Sequence, residues 1–233
     1  MLPVSSSAQL TLLPWLLRWP VPSNATTFAA GLHAGSCLGI GVALRRELLG
    51  LDRRTLALLA ATSLPAAAAG LLAGDRVEQR LGRPGPIALL LAGAGAVMWA
   101  ADRRPERVAD VGPRQAAVAA AAQVFALAPG VSRFGATVTA LRCMQVERAE
   151  AQRFSLLMSL PVTAGAAALT LARTPREGLV GPLLVGAPIA ALTGGLAAAN
   201  RSAVKRATGP AAYRLALAAV VASRLRRHRR DSA

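Results

Sequence analysis

Long apolar runs constrain this chain more than any other feature. Residues 28–44, 56–73, 115–131, 154–172 and 178–200 are free or nearly free of charge, and each is near the length an α-helix needs to cross about 30 Å of hydrocarbon. Residues 86–101 form a slightly shorter run, and 211–223 a weaker one because Arg214 lies inside it. With 54% hydrophobic and only 16% charged residues and a mean hydropathy of +0.43, the chain is too apolar for an ordinary soluble domain of 233 residues. In lipid every backbone amide must be satisfied within the protein, so such runs predict helices. The fold class read here is all-α, a polytopic integral membrane protein.

The apolar residues are mostly Ala, Leu, Val and Gly, with 3% aromatic, a composition that lets helix backbones approach closely. A formal net charge of +16 invites a nucleic-acid reading, but the cations sit in short clusters between apolar runs. Arg45, Arg46, Arg53 and Arg54 bracket one loop, Arg103, Arg104 and Arg107 another, and arginines crowd 224–230. With no aromatic residues interleaved, these are membrane flanks, and no nucleic-acid partner is expected. Cys37 and Cys143 have no metal-ligand spacing around them and read as small packing residues. No cleavable secretory signal is recognised at the start.

Two breaks interrupt the apolar pattern. In APGVSRFGAT, residues 128–137, Pro129 and Gly130 stop one helix and Gly135 permits close backbone approach. Arg133 carries a planar fork of donors suited to phosphate oxygens, and Ser132 and Thr137 add hydroxyls. An ionisable side chain there costs about 2.5–3.5 kcal/mol on lenient insertion scales, which makes it a functional candidate. The alternative on this stretch alone is a kinked helix whose arginine snorkels to headgroups. In LPVSSSAQ, residues 2–9, Pro3 and three serines make the second break; a plain helix N-cap is the alternative there. Val4-Ser5 and Val131-Ser132 share a Val-Ser step, and each break is followed by a long apolar run. Weak paired repeats of this kind point to an inverted repeat whose two re-entrant helical hairpins meet within the bilayer.

LPVSSSAQL and PGVSRFGAT, in that order, resemble the two signature regions of the undecaprenyl-diphosphate phosphatase family, the bacitracin-resistance type. The similarity continues through FAAGLHAGSCLGIGVALRREL, FSLLMSLPVTAGAAAL and AAYRLALAAVV, nearly the whole chain. The resemblance implies an inner-membrane, multi-pass enzyme that hydrolyses undecaprenyl diphosphate to undecaprenyl phosphate, recycling the lipid carrier of cell-wall synthesis. It makes Ser6 and Arg133 the catalytic candidates, and Ser5, Gly130, Ser132, Gly135 and Thr137 the phosphate-binding ones. Gln9 and His33 are further candidates, since the family has a histidine ending the first motif where Gln9 stands, and some members have one at His33; a hydrogen-bonded packing histidine is the favoured alternative for His33. Phe134 stands where the family usually has a serine. The family's Glu/Gln-x-x-x-Glu pair would precede Leu2, and a translation start upstream of Met1 is the reading favoured for its absence. Magnesium or calcium is the implied cofactor, and no residue of this chain is assigned to it. The rival expectation is a non-catalytic binder or transporter of polyprenyl phosphate; a homo-oligomer is left open. An unrelated transporter with a phosphate-binding kink is the third reading.

One membrane domain is expected over 1–233, with halves at about 1–101 and 115–223, a connecting loop at 102–114 and a basic tail at 224–233. Residues 74–85 are expected as a charged hairpin, with Pro65 kinking the helix before it. Glu147 and Glu150, set among Arg142, Arg148 and Arg153, are expected to form ion pairs on a solvated helix face, with a substitute metal role as the lesser alternative, and Tyr213 and Arg214 are expected to be interface residues.

Overall fold

The computed structural model describes residues 4–20, 25–174, 182–200 and 207–231. Among these the regular structure is helical: α1 (Ser6–Leu17), α2 (Ala25–Ala43), α3 (Arg45–Leu49), α4 (Arg53–Leu81), α5 (Pro84–Asp102), α6 (Pro113–Phe125), α7 (Arg133–Cys143), α8 (Arg148–Arg173), a π-helical turn at Pro182–Gly186, α9 (Ala187–Ala199) and α10 (Thr208–Asp231). Helices α4, α5 and α8 are each long and apolar enough to cross a bilayer. The chain is therefore an all-α membrane protein, as the runs predict.

Small residues determine how the helices meet. A Cβ added at Gly35 or Gly39 of α2 would drive into the backbones of Ala187 and Ala191 of α9, and Gly194 and Gly195 lie close, though less tightly, against Ser36 and Gly39. That contact is backbone against backbone, the geometry small residues permit in lipid. A larger core joins α2, α4, α6, α7 and α8 around Phe154, Leu141 and Ile40. A second joins α1, α5 and α10, with Ala8 and Leu12 packed on Ile87, Leu91 and Val221.

The sequence expectation is corrected in two places. Helix α4 runs on through Gly74 and Asp75 to Leu81, so the hairpin expected at 74–85 shrinks to the turn before Pro84; one glycine without a proline does not stop a helix this long. Helix α10 likewise continues to Asp231, so the basic tail is helical over its described residues. Pro65 does lie inside α4, and Gln123 of α6, buried beside it, donates to the Thr62 carbonyl, the kind of repair a neighbouring helix supplies.

The connector after α5 is pinned. Val108 bridges Val146, and the amides of Arg107 and Val108 donate to Gln145. Arg142, 2% exposed, donates to the carbonyls of Val146 and Arg104, so it is not the solvated helix-face residue expected. Arg153 does pair with Glu150 at 3.2 Å and with Glu47. Glu147 begins α8 as its N-cap residue.

Candidate functional site

The serine that opens the helix after each break takes a positive φ. Ser5 is the N-cap of α1 at φ 64, and Ser132 is the N-cap of α7 at φ 67. These are left-handed values that a non-glycine residue seldom takes. The carbonyl just before each serine is held by a side chain: Gln9 Nε2 donates to Val4 O at 3.1 Å, and Arg214 Nη1 donates to Val131 O at 3.1 Å. The shared Val-Ser step thus ends on a positive-φ serine in both breaks.

Helix α10 ties the two turns together. Tyr213 Oη donates to Gln9 Oε1 at 2.9 Å, while its neighbour Arg214 reaches Val131. Adjacent residues of one helix hold one break each, which sets the N-terminal ends of α1 and α7 about the same level of α10. Arg214 is not the interface residue expected: it is 0% exposed, with its Cβ against Gly95 and its guanidinium against Gly135. Tyr213 is partly exposed. The signal in the sequence was the arginine interrupting 211–223.

At the second break, α6 and α7 pack on one another. Their 13 and 11 residues make arms of about 20 and 17 Å at 1.5 Å per residue, each short of a full crossing. Gly130 sits at the tip with φ 104, and a Cβ there would meet Ile87 O at 2.9 Å, so glycine is required both for the turn and for its seat on α5. Of the first break, residues 1–3 lie outside those described.

The predicted site residues divide by environment. Arg133, half-buried, donates to Thr163 Oγ1 at 2.5 Å. His33 and Cys37 of α2 both lie within electrostatic reach of it. Arg133 therefore points into the protein between α2 and α8. Ser5 is buried and shares a hydrogen bond of 3.3 Å with Ser7, whereas Ser6 is exposed on the first turn of α1. Ser132 Oγ accepts from the Gly135 amide at 3.2 Å. Gly135 also lies against the Arg214 guanidinium, the close approach its missing side chain permits. The Thr137 hydroxyl is buried, with the carbonyls of Arg133 and Phe134 as its acceptors. It secures the first turn of α7. The amides of Arg133 and Phe134, the first two of that helix, have no intrahelical acceptor and join the positive end of its dipole.

Thr163, which accepts from Arg133, and Arg214 are the functional residues sequence reasoning missed. Chemically, the arrangement offers guanidinia, hydroxyls and helix N-terminal amides to an anion. It suits a divalent cation poorly: among the described residues no group of three or more His, Cys, Asp or Glu is placed to hold one.

Comparison with known proteins agrees in kind. The sequence model of the family described as "Bacitracin resistance protein BacA" matches residues 1–220. Proteins named undecaprenyl-diphosphatase are similar along most of their length. That of Gemmatimonas aurantiaca is 39% identical, covering 82% of this chain and 79% of its own. That of Geobacter sulfurreducens is 37% identical, with 85% and 81% covered. That of Pelobacter propionicus is 36% identical, with 95% and 90% covered.

Proposed function

The chain belongs to the bacitracin resistance protein BacA family, and from that premise we propose that it hydrolyses undecaprenyl diphosphate to undecaprenyl phosphate and phosphate, as a multi-pass protein of the bacterial inner membrane. The observation that supports the reading is the paired tether on α10, Tyr213 to Gln9 and Arg214 to Val131, which ties each motif break to one of two adjacent residues of one helix. Family membership favours hydrolysis over the non-catalytic alternative.

In this reading α1 and the α6–α7 pair are re-entrant half-spans whose N-terminal ends face a diphosphate headgroup. Arg133 takes two oxygens of the terminal phosphate, and the Arg133 and Phe134 amides add donors where negative charge grows as the anhydride bond breaks. Thr163 fixes the guanidinium so that little reorganisation is needed. Ser6, exposed at the first turn of α1, is the group that attacks phosphorus or orients the attacking water, and His33, within electrostatic reach of Arg133, is the group to take a proton. Arg214 does not touch substrate: it holds the Val131 carbonyl and so keeps the α7 amides aimed. The magnesium or calcium implied by the family does not fit the residues described, and no step is routed through it.

The test is phosphate release from undecaprenyl diphosphate by purified protein in detergent, with and without EDTA. Arg133→Ala is expected to lower kcat/KM by about 100-fold or more, the usual cost of deleting a transition-state donor. Wild-type protein that binds the lipid and releases no phosphate refutes hydrolysis.

A further inference from the structure

A cavity of about 570 Å³ lies between α2, α3 and α8 and is walled almost wholly by apolar side chains, among them Ala34, Cys37, Leu38, Ala164, Ala168 and Leu171. Its volume falls within the roughly 300–1,000 Å³ of small-molecule sites. Along α8 it runs from Leu160 to Leu171, about 16 Å of helix at 1.5 Å per residue. Alanines on both helices make the hollow, and Leu38, 67% exposed, stands at a rim open to the bilayer. A groove of this kind takes an apolar chain, and its position says which one. Cys37 lines it and donates to the Leu160 carbonyl of the same wall at 3.8 Å, and Thr163, the residue that receives Arg133, sits on α8 between Pro161 and Ala164, both of which line the groove. One wall of the groove is therefore one side chain away from the proposed phosphate grip.

We infer that this groove is the subsite for the headgroup-proximal isoprene units of the substrate, entered from the Cys37 end and leading the tail along α8 into lipid. The inference rests on the polyprenyl-diphosphate reading above and deepens it. A diphosphate on Arg133 needs an apolar exit for its ester carbon, and the α2–α8 groove begins where the guanidinium's partner ends. The tail then adds binding energy through area removed from lipid-competing surroundings and tight contact. It also makes the site selective for a prenyl diphosphate over a soluble one.

The experiment uses full-length Ala168→Cys protein, with Cys143, which is exposed and at the far end of α7, as an internal control. Maleimide labelling is followed peptide by peptide. Saturating farnesyl methylenediphosphonate, a non-hydrolysable probe, is expected to slow labelling at position 168 by about tenfold while Cys143 is unaffected, the occupancy a tight ligand gives. Methylenediphosphonate without the prenyl chain should leave position 168 as reactive as in the free protein. A second variant, Ala168→Trp, fills the groove; it should raise KM for undecaprenyl diphosphate by about tenfold with kcat within about twofold. Leu64→Trp, on the lipid face of α4, should change neither. Unchanged labelling at 168 in protein that still hydrolyses undecaprenyl diphosphate overturns the groove and leaves the phosphatase reading standing. Protection equal to that given by farnesol alone also overturns it. Protection in protein that releases no phosphate keeps the groove and retires the phosphatase.

Discussion

At Gly130 the chain does what no other residue could do there. A φ of 104 with the Ile87 carbonyl 2.9 Å from a would-be Cβ means that Gly130→Ala must both strain the tip and lift it off α5. The strain alone is worth about 1–3 kcal/mol, so the variant should unfold several degrees earlier in detergent and lose most activity. Ser5 and Ser132 also take positive φ, 64 and 67, without being glycine, and at Ser132 the capping bond to Gly135 helps offset the cost. Arg214 acts at one remove. Replacing it with Met keeps much of the bulk but frees the Val131 carbonyl. Hydrogen bonds to charged groups are worth about 1.5–3 kcal/mol, so kcat should drop about ten- to hundredfold. Arg214→Lys should recover part of that, while KM moves little because no substrate contact is lost. An equal loss with Lys and Met would show that the fork geometry, not the charge, holds the turn.

Among the elements, α2 and α9 form the tightest pair. Gly35 and Gly39 lie against the α9 backbone, so Gly39→Leu cannot be absorbed by a rotamer change. It should cost more than the about 1–3 kcal/mol of ordinary overpacking, seen as loss of folded protein in size-exclusion chromatography. Leucine at Gly93, which faces open space, should be tolerated. The breaks show the other use of small residues. Short α1 and α7 begin at left-handed serines, and each directs the positive end of its dipole toward the breaks. Helix α10 is the element that relates them. Its apolar run was legible, but the pairing of Tyr213 with one motif and Arg214 with the other was not, because nothing local in AAYRLALAAVV says which helices will lie beside it.

Across the whole molecule, a polar lock closes the end opposite the α6–α7 tip. Arg148 donates to the Asp102 carboxylate at 2.8 Å and pairs with Glu106, and the other Asp102 oxygen accepts from the Ala207 amide at 3.1 Å. One aspartate thereby joins α5, α8 and the entry to α10. Asp102→Ala should destabilise the protein by about 2 kcal/mol, less than the about 3–5 lost on breaking a fully buried pair because Arg148 is partly exposed; denaturant unfolding in detergent reads it. Asp110→Ala, on the same connector and exposed, should be neutral. The membrane class, the helix positions and the two breaks follow from sequence, since hydrocarbon leaves apolar runs no choice but helix, and since Pro, Gly and serine turns interrupt it for local reasons. Arg133 was visible by the same logic, a charge where charge is costly. Only tertiary structure decided that Arg214 is buried beneath the second break, that Thr137 turns its proton to the backbone, and that Thr163, the acceptor from Arg133, sits on α8 between two residues that line an apolar groove. Those outcomes depend on which helices become neighbours, and in lipid that choice is made by backbone-close packing between segments far apart in the chain.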